Sequence, residues 1–147
     1  LNLLKMNIKV KKLHKDTIIP SYAKEGDAGM DLTAVSVEYT QDYVSYKTGL
    51  AIEIPYGYVG LLFPRSSNSK KDMILSNSVG VVDSGYRGEI ELRFKIIKST
   101  KDSHSLYNIG DRVGQLIILP IPHINLIESD SLSTSVRGED GFGSTNL

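Results

Sequence analysis

The 147-residue chain contains no cysteine. A disulfide framework, a thiolate zinc site and a cysteine nucleophile are therefore excluded. Neither sign of charge is in excess, since Lys plus Arg and Asp plus Glu each total 17. No global field draws the chain to nucleic acid or to an anionic membrane surface. No apolar run approaches the ~18 residues of a membrane span, and a signal-peptide pattern is missing. HExxH, P-loop and Rossmann glycine patterns and a nucleophilic triad are not found either. The expectation is a cytoplasmic, intracellular domain with neither nucleic acid nor membrane as partner. Residues 1–5 precede Met6-Asn7-Ile8 and read as an extension outside the fold.

What is present is 40% hydrophobic residues in a length suited to one compact domain. Helical periodicity is scarce. Strand-like pieces recur instead, over residues 8–13, 35–39, 44–46, 50–54, 58–63, 79–82, 89–97, 115–120 and 124–127. Turn chemistry separates them, as in Glu25-Gly26-Asp27, Pro55-Tyr56-Gly57, Ser84-Gly85 and Asn108-Ile109-Gly110-Asp111. Many short strands at regular spacing predict an all-β sandwich, jelly roll or barrel. One short helix is predicted after Ser67, over residues 68–73. The chain divides into a β domain over 1–128 and a mobile C-terminal arm over 129–147, rich in Ser, Thr and Gly with little to bury.

Five segments carry residues that a β fold does not need. They are DAGMDL at 27–32, PRSSNSKK at 64–71, GVVDSGYRGEIELRF at 80–94, GDRVGQL at 110–116 and RGEDGFGSTN at 137–146. Asp31 fits a turn cap. Arg65-Ser66-Ser67 fits a solvated turn with a helix cap, and equally an anion site, since Arg beside hydroxyls suits a phosphate. Asp111-Arg112 reads as a surface turn with a local ion pair. The last segment reads as a disordered tail, although Gly138, Gly141 and Gly143 around Phe142 let backbone N–H groups approach an anion.

The third segment reads as a hairpin whose strands, 79–82 and 89–97, join through Ser84-Gly85 and Gly88. Its tip holds Asp83, Tyr86 and Arg87. A carboxylate beside an apolar strand is desolvated, which raises its pKa toward the range of a general base. Tyr86 offers a flat ring for a sugar or base. Together these residues describe an anion site of Arg, Ser, Gln and glycine-rich backbone, with one carboxylate to activate water. The chemistry is hydrolysis or binding of a phosphorylated small molecule.

In identity, order and spacing the five segments resemble those of the trimeric dUTPase family, over residues 8–145. The resemblance implies a β jelly roll assembled as a homotrimer, hydrolysing dUTP to dUMP and pyrophosphate with Mg2+. It implies that Asp83 activates the attacking water and that Tyr86 packs on the deoxyribose, leaving no room for a 2′-hydroxyl. Asn77 and the backbone of Gly80, Val81 and Val82 match the hairpin that reads uracil. Arg65, Ser66, Ser67 and Gln115 match the phosphate-holding residues, and Asp31 the aspartate that supports the metal and water network from behind. Arg137 resembles the arginine on the terminal phosphate and Phe142 the ring that covers uracil. Gly143, Ser144 and Thr145 resemble the phosphate-wrapping end of the arm. Magnesium is expected on phosphate oxygens and waters, with no direct protein ligand.

Some positions depart from the family pattern. Asp140 and Asn146 stand where glycines are usual, and Gly114 where an alanine-like residue is commoner. The related dCTP deaminases resemble this fold but carry a glutamate where Arg87 stands. An alternative from another class is a dUTP-responsive interaction protein with a protein partner, as in some family members of phage origin. Loss of Asp83 or Arg137 would mark an inactive binder, and neither is lost.

Overall fold

The computed structural model describes residues 5–97 and 106–141. The described residues form ten strands: β1 (Lys9–Lys12), β2 (Met30–Thr33), β3 (Ser36–Tyr39), β4 (Val44–Lys47), β5 (Leu50–Glu53), β6 (Tyr58–Phe63), β7 (Met73–Leu75), β8 (Gly80–Val82), β9 (Glu91–Ile96) and β10 (Arg112–Pro120). A 3-10 turn, Ser66–Lys70, lies between β6 and β7. One sheet has the order β2-β10-β6-β8, a second β3-β4-β9-β7, and β1 pairs with β5 alone. All pairings are antiparallel. The architecture is the expected all-β jelly roll.

Alternation along the strands explains the layering, because successive side chains leave a strand on opposite faces. Leu62, Val82 and Leu116 from the first sheet meet Tyr46, Leu92 and Phe94 from the second in one buried core. At its centre Tyr46 stands edge to face with Phe94 and Tyr107, which are tilted against each other, and all three ring centroids are 5.7–5.8 Å apart. Such pairs add about 0.5–1.5 kcal/mol each beyond the area they bury. The Tyr46 hydroxyl donates to the Tyr107 carbonyl at 3.0 Å, and burial pushes its phenol up to about 12.

The structure corrects four readings of the sequence. The predicted helix at 68–73 is a 3-10 turn over Ser66–Lys70, and Met73 already begins β7. Met73 and Leu75 are buried around an exposed Ile74, a period of two that cannot continue a helix. Residues 80–94 do not form a hairpin. Strand β8 pairs with β6, while β9 pairs with β4 and β7, so the two halves belong to opposite sheets. Alternation reports which face is buried and not which strand is adjacent; both halves bury one face in the same core. Residues 124–127 are not a strand, and Ile124, Leu126 and Ile127 are 65–90% exposed. Finally, β2 and β7 are not among the predicted strands: β2 falls in a segment read for its polar residues, and β7 begins inside the predicted helix.

Gly114 owes its identity to the core. A Cβ there would fall on Leu92 Cδ2 and lie 2.9 Å from the Phe63 carbonyl oxygen. Leu92 is 1% exposed and has nowhere to retreat. Overpacking of this kind costs about 1–3 kcal/mol. Gly114→Ala should therefore lower the urea midpoint by that equivalent, and Leu92→Val in the same chain should recover part of it. An alanine variant as stable as the parent would show that Leu92 can move aside.

Candidate active site

The first cluster of functional residues forms where β2, β10 and β6 end together. Gln115 on β10 is registered against Asp31 on one side and Phe63 on the other. Gly29 leaves room for the glutamine, since a Cβ there would collide with its amide oxygen. The Gln115 amide donates to the Pro64 carbonyl at 3.1 Å, fixing the point where β6 gives way to the 3-10 turn. Arg65 then turns back. Its Nε donates to Asp31 Oδ1 at 2.7 Å and its Nη1 to Ser67 Oγ at 3.3 Å.

Asp31 is not a turn cap. Its second oxygen, Oδ2, accepts from Arg112 Nη1 at 2.9 Å, so one carboxylate holds two guanidiniums. The expected local pair of Asp111 with Arg112 is not made. Asp111 accepts instead from the Asn108 amide at 2.7 Å. Arg112 was missed as a site residue because its partner lies 81 positions away in sequence. Two cations on one anion leave a net positive corner, followed in the chain by the exposed Ser66, and the arrangement suits an anion with several oxygens.

The second cluster lies along β8. Val79 donates to the Asn77 carbonyl at 2.6 Å, and Ser78 adopts φ 61°, which makes a tight bend before the strand. Asn77, Gly80, Leu62, Leu75, Leu92 and Arg93 border a cavity of about 370 Å³. Beyond Val82 the chain turns, with the Tyr86 amide donating to the Asp83 carbonyl at 3.1 Å. The Tyr86 hydroxyl donates to the Glu89 carbonyl at 3.0 Å and its ring lies over Gly88, where a Cβ would strike it. Arg87 braces the loop through the carbonyls of Ser84 and Tyr86 at 2.7 and 2.9 Å. Asp83 is exposed. The desolvation expected of it is not supplied within one chain.

A single chain keeps these clusters apart. Gly60 on β6 pairs with Val82, while Phe63 pairs with Gln115. At ~3.3 Å per residue those two positions are roughly 10 Å apart, and Asp83 and Arg65 extend from opposite ends. Arg137 joins neither cluster. It is exposed, and its Nε donates to the Asp140 carbonyl at 2.9 Å in a local turn. Phe142, Gly143, Ser144 and Thr145 lie outside the described residues. Among the described residues no group of three or more His, Asp or Glu could hold a metal, and no helix is long and apolar enough to cross a membrane.

This all-β scaffold, with an arginine-rich anion corner and an acidic loop, matches the dUTPase family model over residues 15–146. The chain belongs to the dUTPase family. It is 43% identical over 143 residues to the deoxyuridine 5′-triphosphate nucleotidohydrolase of Tropheryma whipplei strain Twist, covering 92% of this chain and 94% of that one. The enzyme of the same name from Hydrogenobaculum is 37% identical over 146 residues, covering 97% and 99%. Among solved structures, the Staphylococcus bacteriophage 80alpha dUTPase with dUPNHPP superposes with a TM-score of 0.83 at 29% identity, covering 97% of this chain and 100% of that one. That phage protein is described as controlling transfer of virulence genes by a G protein-like mechanism.

If Asp31 organises the anion corner, its charge matters more than its size. Asp31→Asn keeps the shape but should cost roughly 1–3 kcal/mol of stability, the worth of hydrogen bonds to a charged group. Urea denaturation reads this directly. An asparagine variant with the parent's midpoint would mean that the two arginines are held by other groups.

Proposed function

We propose that this chain hydrolyses dUTP to dUMP and pyrophosphate, with Asp83 as the base that activates water. The observation that carries this reading is the pairing of an Asp31–Arg65–Arg112 anion corner with an exposed carboxylate on the loop after β8. Asp83 takes a proton from water, the water oxygen forms a bond to the α-phosphorus, and the bond from that phosphorus to the α–β bridging oxygen breaks, so that pyrophosphate leaves with the bridging oxygen and dUMP remains. Tyr86, held by Glu89 and Gly88, presents its ring to the deoxyribose. Asn77 and the backbone of Gly80, Val81 and Val82 read uracil. A wrong donor pattern there leaves buried polar groups unpaired, a ~10⁴-fold kind of penalty. Arg65, Ser66, Ser67 and Gln115 hold the phosphates.

Magnesium held on the phosphate oxygens of the substrate, and not by a side chain, would offset phosphate charge. Both Asp31 oxygens are engaged by guanidiniums, which suits a supporting role for that carboxylate. Residues 129–147 serve as an arm that closes over the substrate, with Arg137 on the terminal phosphate, Phe142 over the base, and Gly143, Ser144 and Thr145 along the phosphates. Hydrolysis is favoured over pure regulatory binding because Asp83 and Arg137 are both present. Deamination is disfavoured because Arg87, spent on bracing its own loop, stands where an acid would be needed.

The active unit is a homotrimer whose sites lie between subunits. Two observations support this. The anion corner and Asp83 extend from opposite ends of one sheet, so a second copy must bring the missing half. The outer face of that sheet also presents Val81, Leu61 and Ile117 in one registered row, with Val81 65% exposed. An uncovered apolar row of this kind marks an association surface.

Pyrophosphate release measured side by side with dUTP, dCTP, dTTP and UTP tests the reading, and dUTP alone should be turned over efficiently. Asp83→Asn should lower turnover by roughly 10²–10⁴-fold and leave dUPNHPP binding largely intact; near-parental turnover would remove Asp83 from its role. Under subunit exchange, inactive Asp83→Asn chains mixed with inactive chains lacking residues 137–147 should regain part of the activity. An active monomer in sedimentation would refute the shared site.

A further inference from the structure

The 3-10 turn Ser66–Lys70 cannot hold its own shape. It is five residues long, buries none of them, and its N-cap Arg65 makes no side-chain capping bond. Short 3-10 segments have poor hydrogen-bond geometry and take their stability from what they pack against. What stands behind this one is Asn68. Its backbone N–H donates to the Arg65 carbonyl at 2.9 Å, and its side-chain amide donates to the Met73 carbonyl at 3.0 Å. Its remaining side-chain polar atom, Oδ1, accepts from the Tyr107 hydroxyl at 3.1 Å.

We propose that Tyr107 is a positioning residue for the phosphate-binding turn, holding it through Asn68 from inside the core. The inference rests on the reading that Arg65, Ser66 and Ser67 take the phosphates. Tyr107 is suited to the task because it is itself fixed on every side. It is 4% exposed, its ring is packed by Tyr46 and Phe94, and its carbonyl accepts from the Tyr46 hydroxyl. Lys71 donates to the neighbouring Leu106 carbonyl at 2.8 Å, with its ammonium 5.1 Å from the centre of the Tyr107 ring. Only the phenol oxygen reaches out of this pillar, and it ends on the turn. Burial raises the phenol's pKa, and hydrogen bonding from Ser67 offsets part of that rise. The rigidity of the aromatic centre is thereby passed to the segment that carries Arg65.

Tyr107→Phe keeps the ring and removes only the hydroxyl, leaving Asn68 Oδ1 without its buried donor. The turn then loses its inner attachment. Affinity for dUPNHPP should fall about 5–30-fold, while affinity for deoxyuridine, which carries no phosphate, should change less than about two-fold. Asn68→Ala, which also removes the bond to the Met73 carbonyl, should lose at least as much, and the double variant no more than Asn68→Ala alone, as expected when the Tyr107 contact acts through Asn68. Equal losses for both ligands would show a general structural role, and additive losses would show that the two residues act separately; either overturns the inference. So does parental dUPNHPP binding by Tyr107→Phe when Arg65→Ala has lost it. If the parent protein does not bind dUPNHPP at all, the phosphate reading fails first and this inference with it. Should Tyr107→Phe not fold, Asn68→Ala carries the same two-ligand comparison.

Discussion

The site depends on one carboxylate shared by two guanidiniums. Without Asp31, Arg65 and Arg112 would be like charges brought together by three converging strands. With it, both are held within 2.9 Å of an oxygen and stripped of most alternative rotamers. The arrangement also explains why β2 is where it is. Four residues long and at the edge of its sheet, β2 earns its place by delivering Asp31 opposite Gln115. Gln115 in turn secures Pro64, and Pro64 sets the direction in which Arg65 leaves β6. A short chain of hydrogen bonds thus converts sheet register into the placement of positive charge.

The remainder of the fold divides between rigidity and presentation. Tyr46, Phe94 and Tyr107 form a centre whose polar tips are spent on backbone and on Asn68, so no buried side-chain nitrogen or oxygen among the described residues lacks a partner. The loop after β8 is built differently. It is exposed, braced by Arg87 against its own carbonyls, and shaped so that Asp83 projects without an internal partner among the described residues. On the proposed reading, the first region fixes where phosphate oxygens are met; the second leaves an acid accessible to what arrives.

Much of this was legible in the sequence, for physical reasons that differ by element. The longer strands were readable for two reasons: β9 alternates polar and apolar residues over its six positions, and β6 is a short apolar run bounded by turn residues. The five polar segments were readable because they interrupt that alternation with residues a core does not want. Connectivity was not readable. Residues 80–94 obey the pattern of a hairpin while crossing from one sheet to the other, since burial of one face looks identical whichever strand lies alongside. Arg112 and Tyr107 escaped notice for a related reason: each works through a partner far along the chain, Asp31 and Asn68, and nothing local distinguishes them. The apolar residues at 124–127 read as a strand because apolar content does not reveal whether a partner strand lies alongside, and among the described residues none does.

The division of the sheet into two chemically incomplete ends has a consequence for the life of a newly made chain. On the shared-site reading, folding and activity are separate events: a correctly folded single copy is silent. Activity then rises with a higher power of concentration than of folded protein, and a dilute preparation can look dead while every domain in it is intact. It also means that damage spreads. One defective copy incorporated into an assembly spoils the sites on both of its sides, so that a minority of faulty chains depresses output beyond its own share, and the sensitivity of the whole is set by how readily copies exchange.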